Sequence, residues 1–164
     1  MQLLLVRHAI ALDRNIPGIA DSLRPLTEEG VTRFRKTARS LAAIVAPGLI
    51  LTSPMLRAKQ TAEILAGEWP GVSLHESAAL GNGSRLQFEE ALGRKSIPEL
   101  VGAVGHEPWL SDWTAEWLGA SLGSTFAFKK GGAALIEFDG RPLRGAGRLL
   151  FFAAPKALKD LGGL

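Results

Sequence analysis

A three-layer α/β/α sandwich around a mainly parallel sheet is the architecture this sequence predicts, and three observations carry the prediction. Short continuous apolar runs, among them QLLLV (2–6), LILTS (49–53) and AALIEF (133–138), read as buried strands. Between several of them lie stretches whose apolar residues recur every three or four positions, the helical period. Strands and helices alternate, with no internal repeat, linker or low-complexity tract, so the 164 residues are expected to form one domain, 1–164.

In chain order, residues 2–6 make the first strand, and residues 12–25 form a loop because Asp13, Asn15, Pro17, Gly18 and Pro25 interrupt any period. Thr27 is the N-cap of a helix, with Glu28 and Glu29 suited to its positive end. Val31, Phe34, Ala38, Leu41 and Val45 give that helix an apolar face, and Pro47-Gly48 stops it. After strand 49–53, Ser53 and Pro54 are expected to cap and open a second helix reaching Ala66. VSLH (72–75) is a third strand. GNGSR (81–85) lacks the lysine and spacing of a nucleotide loop and reads as a turn before a helix over 85–94. ELVGAVG (99–105) is a fourth strand that delivers His106, and Pro108 opens a helix to about Leu118. AALIEF (133–138) and RLLFFA (148–153) are expected to pair as a hairpin across 140–147, before a short helix over 155–161.

Composition narrows the function. Hydrophobic content of 46% with 21% charged residues is that of an ordinary globular protein. The absence of cysteine excludes disulfides, thiolate metal sites and cysteine nucleophiles. No run approaches the roughly 18–20 apolar residues of a membrane helix, and the first apolar run is too short for a signal peptide; a cytoplasmic location and no membrane partner are expected. A net charge of +3 favours anionic partners. Arg33, Arg35, Lys36 and Arg39 share one helix, where a solvated face is the simplest reading and a docking patch the alternative. Trp109, Trp113 and Trp117 repeat at four residues without interleaved basic residues, so they speak for core packing or a partly exposed partner face rather than nucleic-acid stacking.

The chemistry gathers where strands end. The first strand ends on Arg7 and His8, the second leads through Ser53 to Arg57, and the fourth gives His106 and Glu107. In open α/β sheets ligands bind at that edge. Paired guanidinium groups suit a phosphoryl group, whose oxygens they can hold in bidentate fashion. An unprotonated imidazole nitrogen can attack phosphorus while the other nitrogen fixes the tautomer. A second histidine, if protonated, would stabilise the charge spreading over the oxygens. No metal is needed, and a zinc site from His8, His75 and His106 lacks ligand spacing.

Taken together, VRHA (6–9), LRPLTEEG (23–30), SPMLRAKQTAE (53–63), VGHEP (104–108) and the tail FKKGGAALIEF (128–138) with GRLLFFAAPKALKDL (147–161) resemble the histidine phosphatase superfamily, of phosphoglycerate-mutase-like fold. The tail is similar to its small phosphohistidine phosphatase branch. The resemblance implies that His8 is the nucleophile and carries a transient phosphohistidine, and that Arg7, Arg57 and His106 hold the phosphoryl group. It implies no cofactor. Ala9 stands where the superfamily usually has glycine, a feature common in the small branch. The long insertions that cover substrates in larger members are missing, so an open site is expected.

Several residues carry two readings. Glu107 occupies the place where some branches keep a proton donor, yet it could equally cap the helix at Pro108. Glu76 lies roughly where another branch keeps its acid, without matching flanks. Arg24 reaches substrate or fixes its loop through Asp21. Ser53 reads as a cap before a ligand, Lys59 as solvated and His75 as an ordinary strand residue. Alkyl phosphates need a proton delivered to a poor leaving oxygen, whereas phosphohistidine expels an imidazole that leaves readily. The lack of an unambiguous acid therefore favours a phosphorylated protein as partner, a histidine-phosphotransfer domain among the candidates. A small phosphomonoester is the alternative substrate, and a non-catalytic phosphate-binding module the alternative function.

Overall fold

The computed structural model describes residues 1–93, 97–121 and 126–161. Six strands form one sheet: β1 (Gln2–Arg7), β2 (Leu49–Thr52), β3 (Ser73–Glu76), β4 (Leu100–Gly105), β5 (Ala133–Phe138) and β6 (Gly147–Ala153). Their spatial order is β3-β2-β4-β1-β5-β6. β1 to β4 run parallel, β5 pairs antiparallel with β1, and β6 pairs antiparallel with β5. The expected hairpin is therefore present, appended to a parallel sheet.

Alternation along β1 explains the layers. Leu3 and Leu5 point into one core with Leu80, Phe88, Trp113 and Trp117, while Leu4 and Val6 point into a second with Phe34, Leu41, Ala62 and Leu65. All four β1 side chains have no solvent exposure, and each contributes up to about 1.5–3 kcal/mol by leaving water. The helices divide accordingly. α1 (Glu28–Ala42), α2 (Leu56–Ala66) and α6 (Pro155–Leu161) cover one face. α3 (Ala78–Asn82), α4 (Arg85–Leu92) and α5 (Trp109–Trp117) cover the other. This is the expected sandwich.

Thr27 caps α1 as expected, its hydroxyl accepting the Gly30 amide at 2.9 Å. Gly30 is required there: a Cβ would lie 2.0 Å from the Ile10 carbonyl oxygen. That close approach lets the Thr27 amide donate to the same oxygen at 3.0 Å, which ties the segment after His8 to the head of α1.

Four local expectations need correction. Ser53 does not cap a helix beginning at Pro54; α2 starts at Leu56 behind Met55. The Ser53 amide still donates to Val104 across the sheet, and its hydroxyl is committed to His106, so the chain cannot yet turn. The glycine-rich segment is not a plain turn, because Ala78–Asn82 is helical and Gly83 ends it at φ +76°. A Cβ on Gly83 would sit 2.4 Å from the Trp109 ring, so glycine allows the packing. Pro108 precedes α5 as its N-cap instead of opening it. A short 3-10 helix, Asp21–Leu23, lies within the expected loop. The expected end of the 85–94 helix lies outside the described residues.

Trp113 and Trp117 are core residues, and Trp109 is partly exposed. Arg33, Arg35, Lys36 and Arg39 form an exposed face of α1, with Arg33 bridged to Glu29 at 2.5 Å. No helix among the described residues is long and apolar enough to cross a membrane.

Candidate active site

β1 and β4 are neighbours in register, with Arg7 opposite Gly105, so the residues that follow them emerge side by side. The His8 amide donates to the Gly105 carbonyl at 3.0 Å. The rings of His8 and His106 stand 5.1 Å apart, centroid to centroid. β2 pairs with the other side of β4 and leads to α2, whose first turn carries Arg57. Neighbouring strand ends thus bring Arg7, His8, Arg57 and His106 to one edge of the sheet.

His8 is 7% exposed, which leaves its ring a narrow opening. Its Nδ1 lies 2.7 Å from the Ala9 carbonyl oxygen. A carbonyl only accepts, so Nδ1 carries the proton and Nε2 keeps its lone pair. Burial first, then the neighbouring His106, Arg57 and Arg7, lowers the His8 pKa to about 3, against the opposing hydrogen bond to Ala9. The imidazole is therefore neutral at pH 7.

The Ser53 hydroxyl lies 2.8 Å from His106 Nε2 and accepts the Met55 amide at 3.3 Å. A hydroxyl both donates and accepts, so either neutral tautomer of His106 makes this contact, Nδ1 carrying the proton where Ser53 is the donor. Burial, then the nearby Arg57 charge, lowers the His106 pKa to about 4. His106 is thus neutral at pH 7, and the protonated form considered from sequence requires a nearby anion to induce it.

Arg57 is 3% exposed and is aimed by residue 21: one terminal nitrogen donates to the Asp21 carbonyl at 2.7 Å, the other to its carboxylate at 3.2 Å. Arg7 donates to the Phe128 carbonyl at 2.5 Å. Burial presses the pKa of both guanidinium groups downward, yet arginine remains a cation throughout the physiological range. Among the described residues, four buried side-chain polar atoms lack any partner: Arg7 Nε, Arg57 Nε, His106 Nδ1 and Thr37 Oγ1. Three of the four belong to this cluster, and the two arginine nitrogens among them are donors. Each buried unmet polar group costs about 1–3 kcal/mol, and three of them gathered around one imidazole make this cluster the least satisfied part of the described interior.

The other candidates are engaged elsewhere. Arg24 turns every guanidinium nitrogen to the protein, meeting Asp21 Oδ1 at 2.9 and 2.8 Å and the Leu12 carbonyl. It fastens its loop. Glu107 accepts the Ser111 hydroxyl at 2.6 Å, the Ser111 amide at 3.3 Å and the Phe128 amide at 2.6 Å. That is the helix-capping reading, extended to hold the 128 segment beside Arg7. Glu76 pairs with Lys59 at 2.6 Å on the surface, and His75 is exposed on β3. No group of three or more potential metal-ligating side chains occurs among the described residues.

The Arg24–Asp21 pair was an expected alternative, but sequence reasoning missed that Asp21 also holds Arg57, and it missed Thr61 and Gln60. Asp21 gathers Arg14, Arg24 and Arg57. Burial pushes its carboxyl pKa up, but the Arg24 hydrogen bond and the arginine charges outweigh it and hold the group below the ordinary carboxylate range. Thr61 accepts the Ala9 amide at 3.0 Å and donates to the Arg57 carbonyl at 2.6 Å, joining the segment after His8 to α2. Gln60 accepts the Leu26 amide at 2.7 Å. Both lie one helical turn beyond Arg57, a spacing that marks a shared helix face.

Known proteins resemble this chain in sequence and in fold. The sequence model of the histidine phosphatase superfamily (branch 1) matches residues 3–89. An uncharacterised protein of Picosynechococcus sp. is 38% identical over 140 residues, covering 80% of this chain and 82% of that one. The protein histidine phosphatase SixA in complex with tungstate superposes with a TM-score of 0.77 at 27% identity, covering 96% and 99% of the two chains. A proposed phosphohistidine phosphatase SixA of Agrobacterium tumefaciens gives 0.75 at 26%, covering 94% and 97%. A proposed alpha-ribazole-5'-P phosphatase of Escherichia coli gives 0.74 at 18%, covering 94% and 98%, a likeness of fold alone.

Proposed function

The chain belongs to the histidine phosphatase superfamily and is a phosphatase, and on that premise we propose that it works through a phosphohistidine on His8, with phosphohistidine on a protein as substrate. His8 Nε2, neutral and unprotonated, attacks phosphorus. The P–N bond to the substrate imidazole breaks, and that imidazole takes its proton from water. A second water then attacks phospho-His8, the P–Nε2 bond breaks, and inorganic phosphate leaves with His8 neutral again. Arg7, Arg57 and His106 hold the oxygens through both steps, where fixed donors match the charge that develops.

The observation that carries this reading is the trio of buried nitrogens without partners, Arg7 Nε, Arg57 Nε and His106 Nδ1, beside a lone-pair-bearing His8. A phosphoryl group would satisfy them, and its negative charge would raise both histidine pKa values. The capping bonds of Glu107 favour a leaving group that needs no dedicated acid. Phosphohistidine is such a substrate, and SixA, which this chain resembles, is a protein histidine phosphatase by its own description.

A small phosphomonoester is the second reading, favoured by one feature: the Glu107 charge acts on Arg7, so a carboxyl lies beside the phosphoryl-holding group. Rates on a phosphohistidine protein and on small phosphoesters, measured for wild type and His8→Ala, test both. We expect turnover to favour the phosphohistidine protein and to vanish in His8→Ala. Label from a phosphoryl donor should be trapped on His8. Normal turnover in His8→Ala on any of these substrates would refute the mechanism, and faster phosphoester hydrolysis would replace the substrate.

A further inference from the structure

The fourth unpartnered atom lies outside the reaction site. Thr37, on α1, is 1% exposed, and its hydroxyl has no hydrogen-bond partner. A threonine inside a helix ordinarily bonds the carbonyl four residues back, as Thr61 and Thr114 do here. Thr37 does not. It lines a cavity of about 210 Å³ between α1, α6 and the 130–131 turn.

The cavity has two chemistries. Ile10 and Phe34 provide apolar wall, while Arg33, Lys130, Lys156 and Lys159 bring four cations against one carboxylate, Asp160. Arg33 is paired with Glu29. The three lysines have no ion-pair partner among the described residues. A pocket with apolar walls and a few convergent polar groups is the usual form of a small-molecule site. Its volume is below the roughly 300–1,000 Å³ of sites for drug-sized ligands, so the occupant is small.

We propose that the α1–α6 cavity binds a small organic anion, a carboxylate or phosphate on a compact apolar body, with lysines on the charge and Phe34 on the body. None of Arg7, His8, Arg57 or His106 lines it, so the site is separate from the phosphoryl-holding cluster and stands independently of the proposed reaction. It borders that cluster, since Ala9 belongs to the wall and accepts the His8 Nδ1 proton. The Gly131 amide, also on the wall, donates to the carbonyls of Arg7 and His8 at 3.1 Å.

Titration of the full chain with phenylacetate, followed by amide NMR, tests the site. Phenylacetate should shift Ile10, Thr37 and Gly131 saturably, while neutral phenylacetamide and bodiless acetate should bind at least about tenfold more weakly. Lys130→Gln/Lys156→Gln, changed only at exposed positions, should weaken phenylacetate by about tenfold or more. Unsaturable shifts, shifts centred on His106, or equal affinity in the lysine double variant would overturn the proposal.

Discussion

Acid should unfold this protein through its two buried histidines. In the folded chain the His8 and His106 pKa values sit at about 3 and about 4, against an ordinary value of 6.5. The unfolded state therefore binds more protons than the folded state between those limits. Stability is fully present above pH 6.5 and falls as pH drops toward 4. At pH 5 an unfolded histidine lies 1.5 pH units below its ordinary value while its folded counterpart stays neutral, which costs about 2 kcal/mol per histidine at 1.36 kcal/mol per unit. Both groups are more than nine-tenths buried, so solvent screening relieves little of this. A loss of about 4 kcal/mol for the pair is a large part of the roughly 5–15 kcal/mol of a typical domain. Urea unfolding at pH 7 and pH 5, followed by the fluorescence of buried Trp113 and Trp117, measures it. His8→Gln/His106→Gln is the reference, because carboxylates such as Asp21 titrate alike in both proteins. Wild type should lose about 4 kcal/mol more than the double variant between the two pH values. Equal losses would show that the rings are not held neutral by burial, and the nucleophile assignment would lose its electrostatic basis.

Three substitutions test the frame around the site. Asp21→Ala should lower kcat/KM by roughly tenfold through a misaimed Arg57, a modest effect because the carboxylate is half exposed; steady-state kinetics at constant ionic strength reads it. Gly30→Ala places a methyl against the Ile10 carbonyl and should cost about 3 kcal/mol or more, visible as a lowered melting temperature with activity lost in parallel. Thr27→Ala removes the α1 cap and should cost about 1 kcal/mol by chemical denaturation, with kcat unchanged.

The element pattern and the chemistry at the strand ends were legible because each is local. Four apolar residues in β1 specify a strand buried on both faces, and Thr27 followed by two glutamates specifies a helix start, whatever the rest of the chain does. Ser53 shows where local reading fails. Its sequence context is that of a helix cap, but a histidine 53 residues away takes the hydroxyl. Arg24 and Glu107 were ambiguous for the same reason: whether a charged side chain meets substrate or protein depends on partners such as Leu12 and Phe128, which spacing does not reveal.

By itself, then, the order of residues determined which segments are strands and helices, that the sheet is mainly parallel, and which four side chains stand at strand ends suited to a phosphoryl group. Only the tertiary structure decided that Asp21 aims Arg57, that His8 and His106 are neutral, and that three buried nitrogens of the cluster face no protein partner. Backbone preference acts over a few residues, whereas desolvation and hydrogen-bond competition depend on everything that packs around an atom once the chain has closed on itself.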